Sequence, residues 1–360
     1  PSAPQILSTS SSYDAQGIDA NDSFTFLASP AVDASLNKGG LYIVDVSNPY
    51  NPTLLTNLYG GFDNTGIAIS ESLAVVTGSG LGMRVVDVSD PFKPETISSL
   101  SGTTRSVAMA GQFAYVTNFV PGNPGYYELI IIDLSIPTTP IIKGRTTLAG
   151  GSDVKVVGSI AYVAAGSAGL QIVDISNSTA PSIIRSIDTP GTANAVAVAN
   201  GYAYLADSTS VQIINVTNPT NPSIITSISM SASNVAVAGS RLYVIGGSLL
   251  KIINISNPSA PQILSTSSSY DAQGISAVDF LVFLATPALN HFGSTGGVYV
   301  LDVTNASQVI LVKKIVVPGT THTITNTSGY VYAGDSASII DVIDLMLFIC
   351  SIPIVNFQVI

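Results

Sequence analysis

The chain is poor in the residue types on which most catalytic and metal sites depend. Its 360 residues include two histidines, one cysteine and no tryptophan, and only 9% of them are charged. Histidine-based catalytic triads and zinc sites therefore have little to draw on. The single cysteine, Cys350, excludes an intramolecular disulfide. We predict no catalytic residue, no metal site and no cofactor.

Positive charge is scarce as well. Twelve Lys and Arg residues against 22 Asp and Glu residues give a net charge of −10 at pH 7. Because nucleic acid is bound through clustered positive charge, it is a poor candidate partner. A mean hydropathy of +0.46 is too high for a disordered chain. Ser, Thr and Asn supply most of the polar residues, which favours an extracellular or cell-surface protein.

One short phrase recurs along the whole chain. It consists of apolar residues, then Asp or Asn, an apolar residue and Ser or Thr, as in LQIVDIS from Leu170. The recurring acid or amide stands at Asp45, Asp87, Asp133, Asp174, Asn215, Asn254, Asp302 and, in a weaker last copy, Asp341. The average spacing is about 42 residues, which is typical of repeat architectures.

Each period contains four short apolar pieces. They are rich in Val, Ile and Tyr and bounded by Gly, Pro, Asn and Ser, a pattern typical of β-strands. Ala161–Ala164 and Pro181–Ile184 are two such pieces, and no stretch of the chain has helical periodicity. Four strands in about 42 residues match one blade of a β-propeller. The sequence predicts an all-β propeller of eight four-stranded blades, or of seven if the C-terminal set is incomplete.

The recurring phrase resembles that of the LVIVD-repeat proteins, and the resemblance covers nearly the whole chain. It implies a surface or extracellular β-propeller, and it implies nothing about chemistry. WD40 propellers are a worse match, because the chain has no tryptophan and no Gly-His and Trp-Asp pairing.

The N-terminal segment has the pattern of a fourth strand. Residues 1–18 are identical to residues 258–275. We expect Pro4–Thr9 to pair with the last blade and close the ring, with Pro4, Ile6 and Leu7 as contact residues. Two other interpretations stay open: the segment is exchanged between copies in a homo-oligomer or filament, or the duplication has no function.

Residues 1–344 are predicted to form this single propeller, followed by the apolar segment 345–360. Its 16 residues include Pro353, Asn356 and Gln358. A bilayer-spanning helix needs roughly 20 apolar residues, so no transmembrane span is predicted. We expect the segment to be a last strand or a docking extension.

The recurring Asp has two interpretations. A metal ligand or a catalytic acid is one, and a turn in which the side chain accepts backbone N–H groups is the other. Asn215 and Asn254 replace the acid without changing the surrounding pattern, which a metal site would tolerate poorly. The sequence therefore predicts a structural turn.

The candidate binding site follows from propeller geometry. The first strand of each blade lines the central channel, so the residue that enters this strand lies at the channel mouth. Aligned repeats place eight polar residues there: Gln16, Thr65, Arg105, Ser152, Asn194, Ser233, Gln273 and His322. With Asp153, which follows Ser152, the ligand-binding candidates are Arg105, Asp153, Asn194, Gln273 and His322. The alternative is a narrow polar channel that holds only water.

The function predicted from these features is non-catalytic. We expect a structural, adhesive or interaction module that binds other proteins or copies of itself through loops and blade edges. Long loops are predicted at Ala31–Gly40, Phe119–Glu128 and Ala288–Gly297, with Tyr126 and Tyr127 as contact residues. The alternative is an enzyme or small-ligand receptor that uses the channel mouth, and it requires Arg105, Asp153 and His322 to converge.

Overall fold

The computed structural model describes residues 95–268 without interruption. Before them it describes residues 17–20, 24–29, 40–45, 53–59, 63–70, 72–79, 82–87 and 89, and after them residues 271–272, 274–278, 281–286, 297–306, 308–316, 321–327, 330–335 and 341–344. For residues 17–67 and 312–344 only the backbone is described.

All described regular structure is β-strand, arranged in eight antiparallel sheets. Seven sheets have four described strands in chain order, and the eighth has three. Sheet 1 consists of β1 (Gly17–Ala20), β2 (Phe24–Ser29), β3 (Gly40–Asp45) and β4 (Thr53–Tyr59), and sheet 2 of β5 (Asp63–Ser70), β6 (Leu73–Ser79), β7 (Gly82–Asp87) and β8 (Glu95–Leu100). Sheet 3 consists of β9 (Thr103–Ala110), β10 (Phe113–Val120), β11 (Tyr126–Asp133) and β12 (Ile141–Leu148), and sheet 4 of β13 (Asp153–Val157), β14 (Ile160–Ala164), β15 (Leu170–Asp174) and β16 (Ser182–Ile187).

Sheets 5 to 8 continue the same order. Sheet 5 consists of β17 (Ala195–Ala199), β18 (Tyr202–Ala206), β19 (Ser208–Asn215) and β20 (Ser223–Ala232), and sheet 6 of β21 (Asn234–Ala238), β22 (Arg241–Gly246), β23 (Leu249–Asn254) and β24 (Gln262–Ser268). Sheet 7 consists of β25 (Gly274–Val278), β26 (Leu281–Thr286), β27 (Gly297–Asp302) and β28 (Ile310–Val316), and sheet 8 of β29 (Thr321–Thr327), β30 (Tyr330–Asp335) and β31 (Asp341–Asp344). The prediction of four strands in each period is confirmed for sheets 1 to 7.

The first and second strands of sheets 3 to 6 are joined by two-residue turns. Each turn contains a residue with positive φ: Gly111, Gly158, Gly201 with Asn200, and Gly239. This conformation twists the chain in the sense that the flanking strands need, and glycine or asparagine adopts it most readily. The Gly-containing turns of the repeat are therefore hairpin connections.

The fourth strand of sheets 1 to 7 carries a β-bulge at one fixed position, ten residues after the recurring Asp or Asn. The bulged residues are Leu55, Ile97, Lys143, Ile184, Ile225, Leu264 and Val312. A bulge bends the outer strand and interrupts its regular row of hydrogen-bonding groups. Every bulged edge is thus a poorer template for an added strand than a flat edge would be.

The apolar core is divided among the interfaces between consecutive sheets. Leu129 and Ile131 of sheet 3, for example, pack with Val163 and Val173 of sheet 4, and all four are fully buried. Along the inner side, each first strand contacts the first strand of the next sheet from β1 through β29, and β29 also contacts β1. Consecutive repeats thus bury apolar faces that none of them could bury alone.

A tyrosine occupies the third position of the second strand in sheets 3 to 6. These residues are Tyr115, Tyr162, Tyr204 and Tyr243, and all four are buried. Burial raises the pKa of each phenol, because the charged form loses its hydration. For Tyr204, burial and the nearby Tyr202 raise the pKa to about 12.

The strand register corrects one sequence prediction. In sheets 1 to 7 the first residue of the second strand pairs with the recurring Asp or Asn, as Tyr202 does with Asn215. In sheet 8 the corresponding residue, Tyr330, pairs with Asp344. The eighth copy of the acid is therefore Asp344 rather than Asp341. The error arose because Asp341 and Asp344 both follow an Ile pair or Val-Ile pair.

The predicted loop Phe119–Glu128 is shorter than expected. The pairs Phe119–Tyr127 and Val120–Tyr126 extend the hairpin of β10 and β11, so that only residues 121–125 connect the two strands. Aromatic and β-branched residues favour strand pairing, which explains the extension. Most of the other two predicted loops lies outside the described residues, as do Pro4, Ile6 and Leu7. Within the described part of the chain, no helix is long and apolar enough to cross a membrane.

Candidate functional site

The recurring Asp forms the predicted turn. In Asp87, Asp133, Asp174, Asn254 and Asp302 the side-chain oxygen accepts the backbone N–H two residues on, at 2.7–2.9 Å. Asn215 accepts the N–H and hydroxyl of Thr217 in the same way. Hydrogen bonds from the Ser two residues on lower the pKa of Asp87, Asp133 and Asp174. Acid and amide make the same turn, so the structural interpretation is confirmed for these six copies.

The channel-mouth position has two backbone forms. Ser152, Asn194 and Ser233 directly precede the first strands of sheets 4, 5 and 6. Each donates its backbone N–H, at 2.8 Å, to a carbonyl oxygen at or near the end of the second strand: those of Ala164, Ala206 and Ile245. At Thr65, Arg105 and His322 the first strand instead contains a β-bulge. Gln16 and Gln273 lie outside the described residues. The aligned position therefore directly precedes the first strand in three sheets and is the bulged residue of the first strand in three others.

Asp153 links three first strands. Its Oδ1 accepts the hydroxyl of Ser106 in β9 at 3.2 Å and the N–H of Val154 at 2.9 Å. Its Oδ2 accepts the N–H of Val196 in β17 at 3.2 Å. Lys155 Nζ lies 3.7 Å from Oδ1. The carboxylate thus ties its own sheet to the sheets on both sides.

The two N–H groups that donate to Asp153 do not point towards the next strand of their own sheets. A two-residue turn joins β17 to β18, so Ala199 and Tyr202 form a hydrogen-bonded pair, and every second residue before Ala199 does the same. Val196 lies between these pairs, so its N–H points away from β18, and the N–H of Val154 points away from β14 for the same reason. Asn234 accepts the corresponding N–H of Val235 in sheet 6, at 2.8 Å. An acid or amide here satisfies backbone donors at the inner edge.

Arg105 contacts the predicted interaction residue Tyr127. The guanidinium carbon of Arg105 lies 5.6 Å from the centre of the Tyr127 ring, within cation–π distance. Tyr127 packs on Phe119 with ring centres 5.1 Å apart and planes tilted by 54°. Gly125 closes over Phe119, where a Cβ would come within 2.6 Å of the ring. Tyr126 is exposed beside this cluster.

The structure brings some predicted site residues together and separates others. Arg105 and Asp153 lie on neighbouring first strands and are connected through Ser106. Asn194 is exposed next to β17. His322 lies on β29, which contacts β25 and β1. Only the backbone of His322 is described. Among the described residues, no group of three or more His, Cys, Asp or Glu is placed to hold a metal ion.

Sequence reasoning missed the buried polar groups at the same end of the molecule. Asp207 is fully buried and accepts Thr189 Oγ1 at 2.8 Å, the Gly191 N–H at 3.0 Å and Ser210 Oγ at 3.4 Å. Glu128, also buried, accepts hydrogen bonds from Asn118 and Arg145. Asp207 thus holds the segment that enters β17, and Glu128 connects β11 to β10 and β12. The available signal for Asp207 was its position directly after the second strand, β18.

The outer strands carry most of the exposed large apolar side chains among the described residues. Isoleucine side chains stand out of the fourth strands at Ile141, Ile224, Ile263 and Ile310. Most fourth strands also carry charge, such as Lys143 and Arg145 in β12. β4, β20 and β24 carry none, and β20 and β24 belong to the adjacent sheets 5 and 6. The ammonium of Lys251 in β23 donates to the carbonyl of Ser229 in β20, at 2.9 Å.

Similar solved structures show the fold of this chain. The computationally designed Ika8 protein has a TM-score of 0.72 at 9% identity, over 95% of this chain and 99% of that one. BamB from Moraxella catarrhalis has a TM-score of 0.65 at 12% identity, over 91% and 93%. Sqt1 from Saccharomyces cerevisiae has a TM-score of 0.62 at 11% identity, over 76% and 80%. Identities this low show the fold alone, and the fold is a β-propeller.

Sequence comparison places the repeats in a family. None of the curated proteins matches this sequence. The model of the LVIVD repeat matches residues 35–59, 63–100, 101–147, 150–189, 190–230 and 229–270. Because these matches cover more than half of the 360 residues, the chain belongs to the LVIVD-repeat family.

Proposed function

We propose that this chain is a non-catalytic interaction scaffold outside the cell, an eight-bladed propeller whose copies associate through the outer strands of sheets 5 and 6. The observation that carries the proposal is the surface of β20 and β24. Both strands are uncharged, both are on adjacent sheets, and Ile224 and Ile263 are 42% and 51% exposed on them. Natural edge strands usually carry charge, which prevents association. Because β20 and β24 are both bulged, the copies meet through the side chains of these strands rather than by adding a strand to the sheet.

The channel mouth supports a non-catalytic role. Three protein donors occupy most of the acceptor sites of the Asp153 carboxylate: Oδ1 accepts from Ser106 and Val154, and Oδ2 accepts from Val196. Arg105 stacks on Tyr127 of its own sheet. The polar residues described at this end therefore connect strands to one another.

Ring closure is the second part of the proposal. Residues 262–268 form β24, and residues 5–11 have the same sequence. β24 precedes β25 by the same number of residues as the segment 5–11 precedes β1, and β1 contacts β29 of sheet 8. We propose that Gln5–Ser11 is the fourth strand of sheet 8 in its own chain and covers the edge of β31.

A second candidate arrangement is strand exchange between copies. It is favoured by one observation, that the chain has two segments with a fourth-strand pattern for one three-stranded sheet. Besides residues 5–11, the sequence Pro353-Ile354-Val355 follows Asp344 at nearly the spacing found in the other sheets. If the C-terminal segment covers β31, the N-terminal segment is available to another copy.

Extracellular display follows from composition. Charged residues make up only 9% of the chain, and Ser and Thr, with Gln262, are the polar residues of β20 and β24. Secretion of the full-length protein by its native host, followed by immunodetection on intact cells, tests the location. Detection only after lysis would refute it.

Sedimentation velocity tests association through the outer strands. We expect the full chain to form dimers or larger species as its concentration rises. Ile224→Lys with Ile263→Lys should weaken this association at least tenfold, because a buried ammonium without a partner is costly. Ile141→Lys is the matched control, on an outer strand that already carries Lys143 and Arg145. A chain that stays monomeric at all concentrations, or a double variant that associates like the wild type, would refute the proposal.

A further inference from the structure

A groove lies between sheets 2 and 3, on the side of the molecule where the third strands end. Its volume is about 580 Å³, within the range of about 300–1,000 Å³ that is usual for ligand pockets. Leu73, Ile97, Met109 and Leu134 form apolar walls, and serine and threonine hydroxyls lie between them. Asp87 is the one charged residue among the described residues that line it.

Asp87 is a recurring acid with its turn in place. Its Oδ1 accepts the N–H of Ser89 at 2.8 Å. The hydrogen bonds from Ser89 lower the pKa of Asp87, so the carboxylate is charged at neutral pH. It is partly exposed to the groove, and it forms no ion pair with any residue that the structure describes.

The neighbouring sheet shows how a cation sits against the same acid. In sheet 3, Lys143 Nζ lies 3.0 Å from Asp133 Oδ2. Lys143 is the bulged residue of its fourth strand, ten positions after the acid. In sheet 2 the bulged residue at this position is Ile97, which forms part of the groove wall. Sheet 3 thus provides the ammonium within the chain, whereas sheet 2, like sheets 1 and 4 to 7, has an apolar side chain at this position, and here that side chain and the acid both line the groove.

We propose that this groove binds a lysine or arginine side chain of a partner protein, with the charged group on the Asp87 carboxylate and the aliphatic stem along Ile97, Met109 and Leu134. The net charge of −10 attracts a basic partner from a distance. The inference rests on the proposed function, because it names the chemistry of a protein partner for the scaffold.

Methionine-methyl NMR of the full chain tests this binding directly. The chain has four methionines, and Met109 lines the groove, whereas Met230 is buried in β20 of sheet 5. The probe is the peptide acetyl-Gly-Ser-Lys-Ser-Gly-amide, and the same peptide with norleucine in place of Lys is the apolar control. We expect the lysine peptide alone to shift the Met109 methyl resonance and to leave that of Met230 in place. A Met109 resonance that does not move at millimolar lysine peptide refutes the proposal.

Two carboxylate variants separate the charge from the turn. Asp87→Asn removes the charge and keeps the turn, as Asn215 and Asn254 do. It should weaken lysine-peptide binding about fivefold, the effect of one partly exposed ion pair. Asp174→Asn makes the same change outside the groove and should bind like the wild type. Equal affinity of Asp87→Asn and wild type overturns the proposal. If the sedimentation experiment shows association while Met109 stays silent, this inference alone fails.

Discussion

Replacing Asp153 tests whether the channel-mouth carboxylate is structural. Asp153→Ala removes the acceptor of two backbone N–H groups and one hydroxyl, those of Val154, Val196 and Ser106. A hydrogen bond to a charged group contributes about 1.5–3 kcal/mol when it is buried. The Asp153 side chain is 20% exposed, so water can replace part of the lost acceptor. We therefore expect the free energy of unfolding to fall by about 2 kcal/mol in total.

The matching conservative variant is Asp153→Asn. Asn234 shows that an amide oxygen satisfies the following N–H in sheet 6, so the amide should keep this bond in sheet 4. It provides one acceptor oxygen instead of two and carries no charge. We expect it to lower the free energy of unfolding by about 1 kcal/mol, between wild type and Asp153→Ala.

Urea unfolding followed by circular dichroism measures both variants, and Asp188→Ala, at an exposed acid outside this network, is the control. The refuting result is an Asp153→Ala protein as stable as wild type. It would mean that the carboxylate is not needed to hold the first strands together. A role in ligand binding at the channel mouth would then become the better explanation.

Three further predictions concern stability. Burial raises the pKa of Tyr204 to about 12, whereas a tyrosine in the unfolded chain titrates near pH 10. The neutral phenol therefore stabilises the folded state fully below pH 10, and this stabilisation is lost as pH rises towards 12. The free energy of unfolding should fall by up to about 3 kcal/mol over this range. Tyr204→Phe should make this alkaline decline in the urea midpoint shallower, and Tyr126→Phe, at an exposed tyrosine, should not change it. Hydrogen bonds from Ser176 lower the pKa of Asp174, so the carboxylate stabilises the fold above about pH 4, and this stabilisation is lost as pH falls further. Asp174→Asn should remove this acid dependence and keep the stability at neutral pH. Asp174→Ala should lower the free energy of unfolding by about 1 kcal/mol. Asp207→Ala leaves three buried donors without their acceptor and should lower the free energy of unfolding by about 3 kcal/mol, as calorimetry or urea unfolding can measure; an unchanged midpoint would contradict the assigned contacts.

Local features of the fold were predictable from the sequence. The turn at Asp174 depends on Ser176, two residues away, so a short phrase contains all the information. The same holds for the two-residue hairpins, whose Gly residues mark the turn. Alignment of the repeats also placed Ser152, Asn194 and Ser233 at one equivalent backbone position, because the period is regular in these sheets.

Contacts between repeats were not predictable in this way. Asp153 bonds to Ser106, 47 residues earlier, and to Val196, 43 residues later. No single repeat reveals such pairs, because they depend on which face of each strand meets its neighbour. Arg105 of β9 contacts Tyr127 of β11, a pair that the repeat pattern does not indicate. The correction from Asp341 to Asp344 required the strand register.

The proposed closure of the ring by its own N-terminal strand is tested most directly by deleting Pro1–Ser12. Light scattering and negative-stain microscopy measure the native mass and shape of both proteins, and urea unfolding measures their stability. We predict that the truncated chain associates like the full chain and unfolds at a lower urea concentration, because the edge of β31 loses its partner. Filaments or large oligomers of the full chain that vanish on truncation would contradict closure within one chain and would assign the strand to a neighbouring copy.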